Sequence, residues 1–408
     1  MLTVNRNKII LDIVLGLLLF FFIFAGNPIL LSVYIVFLNI CILLRIKNHK
    51  IVFFIYLLIL YININFLIPI YIDTSTTIFI NELSFTEYSY VTLICCALFL
   101  YGNELCLNIL TTKEVKKFEF KNNKYIFYFF MLVELFVLVF GINRVDGSNY
   151  VVRVTTLYEL SYFFIYFMIL YSGGNKKKIA LTLILSAAII IQDLIFDGRI
   201  TSVQIILLLF AIFYNRIPKL YFVIIGVILF IALVYVGQTR ISQNFSFSLY
   251  NNLLKIDTFY FAYQASETHV YASTQVDLNL QLTSFLGNFL NIFFIDIPAV
   301  YHVSEISLMY AHHYYGGYLF TWFYFWFGYI GAFISGLIVA FVISYNAKRK
   351  KDINNTILIL IFCTLVRWYI YEPTILFKYA ILSSSIILYI TRTIDKLISY
   401  NKKLIILN

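Results

Sequence analysis

The sequence predicts an all-α, polytopic membrane helix bundle of about twelve transmembrane helices, with one long, partly helical external loop between the ninth and the tenth. Three observations predict it. Of 408 residues, 62% are hydrophobic and only 12% are charged, too little polar surface to wrap a soluble globule. Apolar runs of roughly 17 to 25 residues recur along the chain, long enough to cross a hydrocarbon core. In lipid such runs must close their own backbone hydrogen bonds, as helices. Lysine and arginine crowd into alternate connections, as in a chain that crosses repeatedly.

Taken in order, the spans fall roughly at 9–25, 28–45, 51–70, 89–110, 125–141, 157–172, 179–196, 200–214, 220–236, 316–345, 356–372 and 374–391. Arg6 and Lys8 precede the first apolar run as in a signal peptide, but no small-x-small cleavage site follows, so this reads as an uncleaved first helix. Arg45, Lys47 and Lys50 follow the second span, Lys176 to Lys178 the sixth, and Lys348 to Lys351 the tenth. Of the 30 basic residues, 23 fall on one side, which puts both termini and the basic connections in the cytoplasm. The net charge of +10 is explained by this bias and calls for no nucleic acid. The five cysteines all lie in or beside spans and imply no disulfide framework. The reading is one integral membrane domain over 1–408, with the long external loop at 237–313.

Two stretches need separate treatment. Residues 285–300 are nearly apolar but short, carry Asn288, Asn291 and Asp296, and place Leu286, Phe289, Leu290, Phe293, Phe294 and Ile297 at helical spacing. An interfacial or re-entrant helix is expected there rather than a thirteenth span. In the tenth span Gly328, Ala332 and Gly336 recur at every fourth position, a spacing that lets a neighbouring helix approach closely.

Chemistry concentrates in the loop and at the outer helix ends. The loop holds four of the five histidines, His269, His302, His312 and His313, with Glu267 and Glu305 among its carboxylates. Glu159, Asp193, Asp197, Arg199, Arg367, Glu372 and Lys378 sit at the outer ends of their helices, where ionisable groups mark function or buried pairing. Asp193 and Asp197 share one helix face, and Arg199 follows in the turn Asp197-Gly198-Arg199. Arg199, Arg240 and Arg367, with Lys378, suit an anionic amphiphile, because guanidinium grips phosphate bidentately and stays charged at any working pH. A lipid-linked diphosphate is such a ligand. The bases expected to take a proton from an acceptor hydroxyl are His312 or His313, then Glu267 and His269. Glu267-x-His269 and His302-x-x-Glu305 complete no ligand set, so no metal and no cofactor is expected. Glu134, in mid-span, reads as a buried neutral carboxyl, and no phosphate-cradling glycine motif is present.

Twelve spans, one long outer loop before the tenth, an arginine in the turn after the seventh and the stretch YYGGYLFTWFYFWFGYIGAFISG together resemble the Wzy-type O-antigen and capsular polysaccharide repeat-unit polymerases. The most family-like residues are Gly316-Gly317, Tyr324, Phe327-Gly328 and Gly331; many members carry a glutamate about where Trp322 stands here. The resemblance implies a bacterial inner-membrane glycosyltransferase. Its donor would be a growing glycan on undecaprenyl diphosphate and its acceptor a lipid-linked repeat unit. It further implies membrane lipids, a chain-length regulator and a flippase as partners, and Arg199, Arg240 and Arg367 as holders of the lipid diphosphates. Two other readings stay open on the residues: a flippase or transporter of lipid-linked oligosaccharide, and an O-antigen ligase that passes finished glycan to another acceptor.

Overall fold

The computed structural model describes residues 6–71, 85–107, 118–142, 155–196, 198–216, 257–296, 298–311, 313, 315–349 and 351–407. Among them there is no strand, only helices and one isolated bridge between Asn122 and Ser172. The ninth expected span, at 220–236, lies outside the described residues. Four helices are long and apolar enough to cross a membrane: Pro28–Ile46, Glu87–Leu107, Lys176–Ile195 and Leu319–Lys348. The chain forms two compact units, interleaved along the sequence.

The first unit contains α1 (Arg6–Phe24), α2 (Pro28–Ile46), α3 (Lys50–Tyr71) and α4 (Phe85–Leu107). Asn27 stops and restarts the chain between α1 and α2: its side chain accepts from the N–H groups of Ile29 and Leu30 at 2.9 and 3.3 Å, and Pro28 takes the first helical position. The unit is inside-out by the standards of water. Leu17, Phe20 and Phe21 of α1 are each more than 60% exposed, whereas Asn39, Asn63, Asn103 and Glu104 are buried. An apolar solvent makes that arrangement favourable, with polar groups turned inward to find partners.

Its spine is the contact between α4 and the long helix α12 (Leu319–Lys348). A side chain at Gly336 would overlap the Phe99 carbonyl, and one at Gly102 would meet the Phe333 carbonyl, so the two backbones touch through their glycines. Ala332 is fully buried on the same stretch. Gly328, expected to share this packing face, does something else. It breaks α12, at φ 59° and ψ −149°, with open space where a Cβ would stand. The stretch from 329 to 348 still rises roughly 30 Å, a bilayer's hydrocarbon thickness.

The segment expected as the loop is largely helical: α9 (Asp257–Gln275), α10 (Leu278–Asn291), a turn of 3-10 helix at Ala299–Tyr301 and the short α11 (Val303–Leu308). α9 packs on α3, α4, α11 and α12, and buries its polar run from Gln264 to His269 against them. α10 starts at Asp277, whose carboxylate accepts from the Leu280 N–H at 2.9 Å. It presents Ser284, Gly287 and Asn288 inward and leaves Leu286, Phe289, Leu290 and Phe293 exposed. An apolar outer face on a short helix is the pattern of a segment lying at a lipid surface. Ile297, the last residue of that expected stripe, lies outside the described residues.

The second unit contains α5 (Lys124–Phe140), α6 (Ser161–Leu170), α7 (Lys176–Ile195), α8 (Ile200–Phe213), most of α13 (Asp352–Cys363), and α15 (Ser384–Leu407); the short α14 (Leu365–Ile370) bridges back into the first. Phe130 stacks on Phe167 with centroids 5.0 Å apart, and Tyr166 hydrogen-bonds Thr356 at 2.6 Å. Glu134 of α5 is fully buried beside Ser161. At one end the basic connections gather. The Lys121 N–H donates to the Leu170 carbonyl at 2.6 Å, and Arg216 lies 4.2 Å from the centre of the Phe120 ring. Three separate lysine- and arginine-bearing connections thus meet at a single end of this unit.

Candidate functional site

In the first unit α9, α11 and α12 bring three histidines around one tryptophan. Trp322, on the first turn of α12, is fully buried. The His302 ring stands edge-on to it at 5.0 Å between centroids and the His269 ring at 5.5 Å, while His313 lies 5.9 Å from His269. The turn that delivers α12 fixes His269: Gly317 sits at φ 124°, and any side chain there would strike the imidazole. The Tyr318 N–H donates to the Ser266 hydroxyl at 2.8 Å, tying the same turn to α9.

The hydrogen bonds assign the tautomers. Thr321 gives its hydroxyl hydrogen to the Tyr318 carbonyl at 2.8 Å, so toward His269 Nδ1, 3.4 Å away, it has only a lone pair to offer. His269 therefore carries its proton on Nδ1 and leaves Nε2 bare, buried and without a hydrogen-bond partner. Burial, then the neighbouring His313 and His302, hold its pKa well below the usual imidazole range, so the ring is neutral. His313 is spoken for on both sides. Its Nδ1 accepts from the Tyr315 N–H at 3.0 Å, leaving the proton on Nε2, which donates to Ser307 at 2.7 Å. His302 is only partly buried; burial lowers its pKa against the opposing pull of Glu372 and then Glu305.

Glu372 connects this cluster to a polar rim. It accepts from Thr374 and, at 3.5 Å, from the Asn291 amide, whose oxygen accepts from Lys378 at 2.7 Å. The ammonium also lies 4.8 Å from the centre of the Phe294 ring, the distance of a cation–π contact. Arg367 is nearby in sequence and stacks at 5.9 Å over Tyr371. Glu372 and Lys378, expected together, are joined through Asn291, which as a sequence position stands out only as a polar interruption of an apolar stretch.

The remaining expected residues stand elsewhere. Glu267, two positions before His269, faces α4 and accepts from Ser89, which in turn accepts from Tyr263 at 2.8 Å. Burial pushes its carboxyl up to about 7, against the opposing help of those two hydroxyls. Asp193 ties α7 to α8, accepting from the Ser202 N–H and hydroxyl at 2.9 and 2.8 Å, with the Gly198 N–H on its carbonyl. That is a helix-joining role. Arg199 occupies the position just before α8 in the second unit, whereas Arg367 belongs to the first. Asp197, Arg240 and His312 lie outside the described residues.

One charged group escaped the sequence reading. Arg45 makes a 2.7 Å ion pair with the fully buried Glu104 and reaches Asp12 at 3.6 Å, joining α1, α2 and α4. Asp12 and Glu104 are carboxylates inside apolar runs, which was the available signal. Among the described residues no group of His, Cys, Asp and Glu is arranged to hold a metal ion.

Among the described residues the structure is thus helical and free of strands, with helices that suit a bilayer and a buried histidine–tryptophan cluster beside a charged rim. No protein-family model matches it, and no curated protein or solved structure does.

Proposed function

We propose that this chain is a bacterial inner-membrane glycosyltransferase, moving a growing glycan from undecaprenyl diphosphate onto a lipid-linked repeat unit at the outer face. The observation that carries this reading is His269: a neutral, buried imidazole with a bare, unpartnered Nε2, beside His302, on which Glu372 acts. In the transfer, an acceptor hydroxyl oxygen bonds to the donor's anomeric carbon. The bond from that carbon to the diphosphate oxygen breaks, and the diphosphate leaves with the electron pair. The hydroxyl proton goes to His269 Nε2. His313, with both nitrogens occupied, serves better as the brace of the turn than as the base. Lys378 and Arg367 supply positive charge in the same unit for the leaving diphosphate, which lowers the barrier by stabilising charge as it develops. Placing the two lipids together supplies the rest through proximity.

His269→Ala is the test. Cells carrying it, with normal amounts of the protein in the membrane, are expected to display single repeat units in place of long glycan. Long chains of normal length would remove His269 from the reaction.

One observation favours a second reading. The break at Gly328 resembles the discontinuous helices on which transporters bind substrate. For a flippase of lipid-linked oligosaccharide, deletion of the protein leaves no repeat units outside the cell, whereas loss of a polymerase leaves single units there.

A further inference from the structure

Two fully buried polar atoms in the histidine cluster have no partner, and they are complementary. Trp322 Nε1 is a hydrogen-bond donor, and His269 Nε2, in the tautomer fixed by Thr321, is an acceptor. Their rings meet edge-on at 5.5 Å. Leaving both atoms empty in a low-dielectric interior costs free energy that a single bridging group would recover.

The chemistry narrows that group. A carboxylate or phosphate would take the indole N–H but set its lone pairs against the bare imidazole nitrogen. An ammonium would donate to the imidazole but repel the indole N–H. A hydroxyl does both, as acceptor and donor at once. The aromatic neighbourhood of Trp322 suits a sugar, whose C–H groups pack on aromatic faces: Trp326 lies 6.2 Å away between centroids, with its own N–H already given to Ser284 at 3.2 Å. His302 is the only one of the three histidines that is not fully buried, and Glu372, held by Asn291, exerts its charge on it.

We propose that Trp322 and His269 together form the binding subsite for one sugar hydroxyl, the indole N–H donating to its oxygen and the hydroxyl hydrogen donating to His269 Nε2. Under the transfer reading above, on which this rests, that hydroxyl is the acceptor's attacking group, and Trp322 is what aims it at the base.

The chain has 3 tryptophans, so each indole N–H can be followed separately. The experiment uses full-length protein in lipid nanodiscs with nitrogen-15-labelled tryptophan, and Trp322→Phe to assign its signal. Methyl glycosides of glucose, galactose and N-acetylglucosamine are the probes. At least one is expected to shift the Trp322 signal and leave those of Trp326 and Trp368 in place. His269→Leu is expected to weaken that response about five- to tenfold, the loss of one hydrogen bond. If no glycoside moves the Trp322 signal, and its only contact is exchange with water, the gap is a buried water site and the proposal falls. A glycoside shift in a protein whose His269→Ala strain still makes long glycan would keep the subsite and remove His269 as the base. Lost chains with no glycoside shift would do the reverse.

Discussion

At the residue scale, the buried carboxylates make the sharpest statements. Glu267 has its pKa raised to about 7 by burial, from about 4.3 in an unfolded chain. The folded protein therefore holds a proton that the unfolded chain has already released across that interval. Its contribution to stability is full below about pH 4.3 and is lost as pH rises through about 7, at roughly 1.4 kcal/mol per unit. Thermal unfolding in nanodiscs is expected to show this decline, and Glu267→Gln to flatten it; a profile unchanged by the substitution would mean that the carboxyl is ionised in place. Arg45 makes a second prediction. Arg45→Ala removes the ion pair of a buried carboxylate and is expected to cost about 3–5 kcal/mol, whereas Arg45→Met with Glu104→Leu restores most of the loss. The same melting experiment reads both.

Single residues also show where sequence reasoning stops. His269 and His313 were legible because titratable groups are scarce in this chain and therefore conspicuous. Trp322 entered only as the residue standing where similar chains often carry a glutamate, because with 19% of the chain aromatic one ring carries no further signal until its neighbours are known. Arg45 was hidden differently: it sits at the end of a span beside Lys47 and Lys50, so the charge bias accounted for it before Glu104 was asked to.

At the scale of elements, α4 and α12 depend on glycine for different reasons. Gly336 permits contact and Gly328 permits a break. Gly336→Ala places a methyl group against the Phe99 carbonyl, and its expected cost is about 1–3 kcal/mol from separating two backbones. Gly328→Ala meets no atom, so its cost is only that of a backbone conformation reserved for glycine, again about 1–3 kcal/mol. The two are told apart by compensation: trimming neighbouring side chains cannot rescue either, but lengthening the local turn at 327–329 relieves only Gly328→Ala. Spacing at every fourth residue announced both glycines and could not say which was the contact, because a helix break has no periodicity of its own. α10 was the better case. Its apolar stripe specified a face, and the structure turns that face outward. α9 was legible only as unfit for lipid; low hydropathy does not reveal whether a helix meets water or is sequestered by protein.

At the scale of the molecule, apolar length and charge bias were enough to predict a helical bundle, and exposed Leu17, Phe20 and Phe21 over buried Asn39 and Asn103 agree with it. The candidate site was legible as a class of residues and not as a place. Long-range contacts between α9, α11 and α12 bring its members together from positions more than fifty apart in sequence, and no local pattern encodes them. The central claim is that His269 accepts the proton as the lipid diphosphate departs. The most direct measurement is release of undecaprenyl diphosphate from a lipid-linked repeat unit by purified protein in proteoliposomes. Wild-type protein is expected to release one diphosphate for each linkage formed, and His269→Ala at equal reconstitution to release almost none; equal release by the two proteins would contradict the account.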